Sequence, residues 1–297
     1  MSAIAATSRL VHRLSRIGVL LRFEGERSEQ IHPIFQPGAK WEDKDEGYHT
    51  NQVSRVKTPD GGDWFVKRPH ENPIEAHIEP SARHIMRHLG FAEVPPAERA
   101  VDPSTGHGYV VSPWVDLGGG TLRNQQNPRY YHNDALKQRL NRYGPQRITN
   151  LLTAHWLVHA LDRNAGNYGF DAEGKLHPID YGETFSIMPW HNYNANSDMR
   201  TTRNTSPHDD HLFHAANDND ILNFDSPLNK DFLAVLKSKQ PMIESTFWED
   251  VAPHLPPDDL MSASTAMQEK FSHLDRLLEM PNPRLADLPR YRGNKKI

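Results

Sequence analysis

The sequence predicts an α+β protein in two lobes, a small β-rich one followed by a larger, mainly helical one. Three observations carry this expectation. Residues 53–67 alternate like strands around the turn Pro59-Asp60-Gly61-Gly62. Residues 79–90 and 145–161 carry apolar side chains at helical spacing. Beyond Asp220, prolines punctuate further helical segments. At 297 residues the chain can bury a large core in one or two domains. The expected divisions are an N-terminal extension (1–49), the small lobe (50–117), the large lobe (118–284) and a loose basic tail (285–297).

Along the chain, residues 1–23 contain Arg9, Arg13, Arg16 and Arg22 and no acid, with Leu10, Val11, Leu14 and Ile17 on one helical face. This pattern suits an amphipathic helix packed on the domain, with a targeting or secretion segment as the alternative. Residues 24–50 are polar and rich in turn formers. The strand Trp64-Phe65-Val66-Lys67 then ends on a lysine, and in the next helix Ala82, Ile85, Met86 and Leu89 share a face before Gly90 stops it. Pro80 favours the first helical position, which puts Glu79 at the helix start. Glu79, or alternatively Glu75, is the expected partner of Lys67; either also compensates the helix dipole.

Tyr109 to Leu117 reads as a strand running into Gly118-Gly119-Gly120, and residues 121–143 read as an insertion. A helix from Pro145 to Leu161 delivers the chain to Asp162. Tyr168 to Phe170 and Leu176 to Ile179 flank the polar turn 171–175 as a hairpin. Helical segments follow at 230–236, 243–251 and 262–280, and no internal repeat is visible.

The chemistry-bearing set is Asp162, Asn167 and Asp180. A phosphoryl group moving between oxygens needs a carboxylate to deprotonate the acceptor hydroxyl, and oxygen ligands for Mg²⁺, a hard cation. Asp162 fits the base, Asn167 a metal ligand and Asp180, returned by the hairpin, a second metal ligand. Lys67, between a hairpin and a helix, fits a phosphate-orienting role. The competing structural reading is a surface hairpin with Asp162 capping a helix and Asp180 opening a turn.

Asp162-Arg163-x-x-x-Asn167 followed by Ile179-Asp180-x-Gly182 resembles the phosphatidylinositol 3/4-kinase-like and HipA-like atypical kinases. Glu79-x-x-Ala82 ending in Leu89-Gly90, then Val94-Pro95, is similar to that group's small-lobe helix and following strand. The resemblance covers about residues 50–187. It implies a bilobal protein kinase-like fold that uses ATP with Mg²⁺ (or Mn²⁺), and it carries over Lys67, Glu79, Asp162, Asn167 and Asp180. It also implies that the segment around Val115 offers backbone groups to adenine, since Pro113 has no donor. Two departures stand out. No Gly-x-Gly-x-x-Gly precedes Lys67, the nearest glycines being Gly38 and Gly47, and Asn164 stands where many lipid kinases have histidine.

The net charge of -4 gives no global reason to expect nucleic-acid binding, and the absence of cysteine excludes disulfides and thiolate metal sites. No apolar run reaches membrane-spanning length, so a soluble, cytoplasmic enzyme is expected. His155 and His159 have zinc-ligand spacing, but Trp156 stands where a zinc-protease helix needs glutamate, so they read as core histidines. The run His208-Asp209-Asp210-His211, with His214, reads as a solvated loop face.

Residues 183–224 hold six acidic against two basic side chains, a field that repels an inositol phosphate headgroup. The expected acceptor is therefore a protein Ser/Thr hydroxyl rather than a lipid. The counter-reading has Arg123, Arg129 and the C-terminal basic cluster facing a membrane. The alternatives are a phosphatidylinositol kinase, an adenylyl transferase or an ATP-binding pseudokinase scaffold.

Overall fold

In the computed structural model, residues 31–43, 51–69, 73–122, 134–160, 163–182, 184–185, 210–289, 291–292 and 295–296 are described. The chain is α+β, with a small antiparallel sheet and a larger helical part. The sheet contains β1 (Lys40–Asp43), β2 (Asn51–Lys57), β3 (Asp63–Pro69), β4 (Glu98–Val101) and β5 (Gly108–Pro113), in the order β1-β2-β3-β5-β4. The β2–β3 turn closes through Thr58 N–H to Gly62 O at 2.9 Å and Gly61 N–H to Thr58 O at 3.0 Å. Gly61 takes φ +89°, a conformation costly for any residue with a Cβ.

Strand alternation divides the sheet's two faces. Val66 pairs with Val111, and both are buried with Ile34, Val56, Ala100 and Tyr109 beneath the short turn Pro33–Phe35. Lys67, one residue on, points to the other face, where α1 (Glu75–His88) packs between β3 and β4 in the chain.

The helical part comprises α2 (Asp134–Tyr143), α3 (Pro145–Val158), α4 (His211–Asp218), α5 (Lys230–Ser238), α6 (Gln240–Thr246) and α7 (Pro257–Glu279). The hairpin β6 (Tyr168–Phe170) and β7 (Leu176–Pro178) lies between α3 and α4 in the chain. Ile78, Ala82, Ile85 and Met86 of α1 belong to the same buried cluster as Leu151 and Leu152 of α3 and Leu274 of α7. Burying each such side chain contributes about 1.5–3 kcal/mol, against about 0–1 kcal/mol for an exposed pair such as Lys237–Asp275. The continuous apolar cluster therefore joins α1 to the helices and carries the fold.

Several sequence expectations change. α1 begins at Glu75, so Pro80 lies inside the helix and Glu79 in its second turn. Residues 134–143, read as insertion, form α2. α3 ends at Val158 rather than 161, because His159 turns left-handed at φ 58°. Val94-Pro95 is a buried turn, and the strand after α1 starts at Glu98. The first tail residues are not loose: Leu285 and Leu288 are buried, and Leu285 N–H donates to Ser226 O at 3.0 Å. Among the described residues no helix is long and apolar enough to cross a membrane.

Candidate active site

Lys67 is the centre of the site. Its Nζ lies 2.9 Å from Asp180 Oδ1, 3.1 Å from Glu79 Oε2 and 3.0 Å from Glu75 Oε2, and the side chain is 5% exposed. Burial opposes the ammonium, but Asp180, Glu79 and Glu75 outweigh it and hold its pKa well above the usual lysine value. β3 supplies Lys67, and α1 presents Glu75 and Glu79 one turn apart toward it. Both candidate glutamates therefore reach the lysine.

The two glutamates differ in their surroundings. Glu79 is fully buried, and its second oxygen accepts from Arg83 Nη2, one turn further along α1 and equally buried. Glu75 sits in the first turn of the helix, where burial pushes its carboxyl up and Lys67 pulls it only partly back.

Asp180 follows β7 at φ 58°, a left-handed conformation rare without glycine. Burial would raise its carboxyl, yet Lys67 and the Gly182 N–H bring it down to about 2. Its side chain is 40% exposed, so solvent partly screens the pair. Gly182 follows in a turn, where Thr184 N–H donates to Tyr181 O at 3.2 Å, and it allows close approach. A Cβ there would lie 2.7 Å from Glu75 Oε2 and 2.9 Å from Lys67 Nζ.

The loop that holds Asp180 is clamped by Arg163. Its guanidinium donates to Asp180 O at 2.7 Å, Ile179 O at 3.0 Å and Asn167 O at 3.1 Å. Ile179 N–H also donates to Asn167 O at 2.9 Å, so the hairpin return sets the backbone of Asn167 beside the residue preceding Asp180. Asn167 is buried at the end of a short 3-10 turn begun by Asn164, whose side chain accepts from Gly166 N–H at 2.7 Å. Asn164 is thus a turn cap here. Asp162 lies outside the described residues.

Behind this clamp lies a buried network that sequence reasoning missed. Tyr168 OH donates to Asp210 at 2.6 Å, and His155 Nδ1 lies 3.1 Å from Asp210 Oδ2 and Nε2 3.0 Å from Tyr181 OH. Burial, then Arg163, pushes His155 down to about 4, so it is neutral near pH 7. Burial would raise the Asp210 carboxyl, but its partners hold it below the usual range. Asp210 also caps α4 through Leu212 N–H at 2.8 Å. It is a buried anchor, which corrects both the solvated-face reading and its place in an exposed acidic field. His208 and Asp209 lie outside the described residues.

Val115 is half-buried in the segment that leaves β5 and runs to Leu122. On either side of it, Trp114 N–H donates to Asp63 O at 2.9 Å and Leu117 packs so tightly on Gly169 that a Cβ there would lie 2.5 Å away. Gly119 and Leu122 then donate to Phe170 O and Tyr168 O at 3.0 and 2.9 Å, laying this linker along β6. Gly38 stands 3.3 Å (as a built Cβ) from Pro59, at the end of the sheet away from the β1–β2 connection. Gly47 lies outside the described residues. The backbones of Asn167 and Asp180 are brought together on Arg163, while the Asp180 carboxylate lies on Lys67; an amide and a carboxylate are oxygen donors of the type a hard cation takes, and an ammonium is the type phosphate oxygens take.

No protein-family model matches the chain, and no curated protein does. Among solved structures it is similar to a Helicobacter pylori proinflammatory kinase, CtkA, at 15% identity, covering 84% of this chain and 94% of that one, with a TM-score of 0.47. It is also similar to part of the complete CtTel1 dimer with C2 symmetry, at 13% identity over 75% of this chain and 11% of that one, with a TM-score of 0.37.

Proposed function

We propose that the protein is a Mg-ATP-dependent kinase that transfers the γ-phosphoryl group to a hydroxyl, a protein Ser/Thr side chain ahead of a lipid headgroup. The observation that supports it most is the meeting of Lys67 and Asp180 at 2.9 Å, across 113 positions of sequence, with Glu79 buried against the same ammonium. A structural ion pair needs one acid; here one lysine gathers acids from a helix and from a left-handed loop residue braced by a buried arginine.

On this reading residues 50–117 form the nucleotide lobe and 118–284 the acceptor lobe, with 1–49 as extension and 285–297 as tail. Lys67 orients the phosphates and Glu79 steadies Lys67. Asn167 and Asp180 hold Mg²⁺, which supplies positive charge against the β- and γ-phosphates. Val115 and its neighbours bind adenine through their backbone. Asp162 takes the proton from the acceptor hydroxyl as the new O–P bond forms and the bond to the ADP oxygen breaks.

Purified protein incubated with labelled ATP, Mg²⁺ and either protein or lipid acceptors tests this reading. Added phosphate on a protein hydroxyl is expected. Added AMP would make the protein an adenylyl transferase, and nucleotide binding without turnover a scaffold.

A further inference from the structure

We propose that His155 is a positioning residue that, through Tyr181, holds Asp180 where it takes the metal; this rests on the kinase reading above. His155 stands in the last turn of α3 and is 3% exposed. Its two ring nitrogens reach different partners: Nδ1 lies 3.1 Å from Asp210 Oδ2 and Nε2 3.0 Å from Tyr181 OH. Tyr181 sits between Asp180 and Gly182 and is fully buried, and Asp210 caps α4. One ring therefore joins the residue after Asp180 to the start of α4.

The hydrogens of this relay run in one direction. Asp210 is ionised and only accepts, and it already takes Tyr168 O–H at 2.6 Å and Leu212 N–H at 2.8 Å. Nδ1 then carries the imidazole hydrogen toward Asp210. A neutral ring has one N–H, so Nε2 is bare and accepts from Tyr181 O–H. Packing alone would let the Tyr181 ring slide; a hydrogen bond at its tip fixes both distance and direction.

A second tie reaches the other side of Asp180. His211 N–H donates to Arg163 O at 3.1 Å, and the Arg163 guanidinium donates to Asp180 O at 2.7 Å and lies over the Tyr181 ring, 4.7 Å from its centroid. The start of α4 thus holds Asp180 by its carbonyl through Arg163 and by the next residue through His155. Asp180 has φ 58°, which a residue with a Cβ keeps only where its surroundings fix it from several sides. Without the relay one of those sides is lost, and the Asp180 carboxylate loses its set direction.

Calorimetric titration of the full chain with ATP and Mg²⁺ tests the role, with melting temperature measured beside it. Tyr181→Phe removes one oxygen and keeps the packing, and should weaken Mg-ATP binding about tenfold. His155→Gln retains one donor and one acceptor and should keep most of the affinity that His155→Leu loses, whereas a residue that only fills space would tolerate leucine better. Unchanged affinity in Tyr181→Phe, or His155→Leu binding as well as His155→Gln, would overturn the positioning role. Nitrogen NMR of the nucleotide-free chain reads the relay itself. The ring resonances absent from His155→Gln should show a hydrogen on Nδ1 and none on Nε2, and the reverse would overturn the relay. No ATP binding by wild type would overturn the kinase reading and the metal role built on it, while the NMR signature would still report the hydrogen bonds.

Discussion

Arg163 donates its Nη1 hydrogen to the main-chain carbonyl of Asp180 at 2.7 Å, so this arginine grips the backbone of the acid and leaves its carboxylate for other partners. The same guanidinium takes Ile179 O and Asn167 O, and its Nε lies 3.4 Å from Tyr168 OH. One planar fork thus fixes both ends of the hairpin turn that sets Asn167 near Asp180.

Lysine cannot reproduce that fork. Arg163→Lys strands at least one buried carbonyl, each at a cost of about 1–3 kcal/mol. Urea denaturation should show a loss of that order. Mg-ATP affinity should fall with it, because Asp180 is no longer held in its left-handed conformation.

The two aspartates are expected to separate kinetically. Asp162→Ala removes the proposed base and should abolish transfer while sparing nucleotide binding. Asp180→Ala removes a proposed metal ligand and a Lys67 partner, so it should also weaken Mg-ATP binding. Equal turnover by wild type and both variants would refute these roles.

The fold and the proposed site were unequally legible in the sequence. The α+β division was readable because the β2–β3 hairpin alternates around a glycine turn and α3 has a broad apolar face. α2 was not, because only Leu136 and Leu140 of its ten residues are buried apolar side chains, too few to stand out from a polar run. The start of α1 is misplaced from sequence because proline favours the first helical position, whereas Pro80 lies inside the helix. Inside a helix it forfeits one N–H, and the packing of Ile78, Ala82 and Ile85 outweighs that loss. Glu75 and Glu79 were both visible as partners of Lys67, but only tertiary structure brings both to it. Arg83 could have been found as the residue four positions beyond Glu79. Asp210 could not: within a His-Asp-Asp-His run nothing local separates a buried anchor from a solvated face.

Arg83 yields the cleanest stability prediction. Its guanidinium is 2% exposed beside a fully buried Glu79. Arg83→Leu leaves that carboxylate with Lys67 as its remaining counter-ion, which Glu75 and Asp180 share. Breaking such a buried pair costs about 3–5 kcal/mol. Thermal unfolding should shift down accordingly, and the double variant Arg83→Leu, Glu79→Leu should recover much of the loss, because no buried charge is then left unpaired.

Acid should destabilise the protein well before its carboxylates titrate. His155 is pushed down to about 4 by burial and then by Arg163, and His77 to about 4 by burial, Arg99 and the stacked His254, whose ring centroid is 3.5 Å away. A histidine whose folded pKa lies below its unfolded value of about 6.5 binds fewer protons when folded. Its contribution is complete above about pH 6.5 and is lost as pH falls toward 4. For His155, which is 3% exposed, the slope approaches about 1.4 kcal/mol per pH unit within that window. Asp180 acts lower: its contribution is present above the unfolded value of about 3.9 and fades as pH falls to about 2. Glu75, whose carboxyl is raised, works in the opposite sense and gains stability on protonation. Melting temperatures between pH 8 and 4 should therefore stay level to about pH 6.5 and then fall. His77→Asn should flatten part of that fall, since it removes one group that must charge on unfolding. A profile that is flat to pH 4 in wild type would mean that neither imidazole is held neutral by the fold.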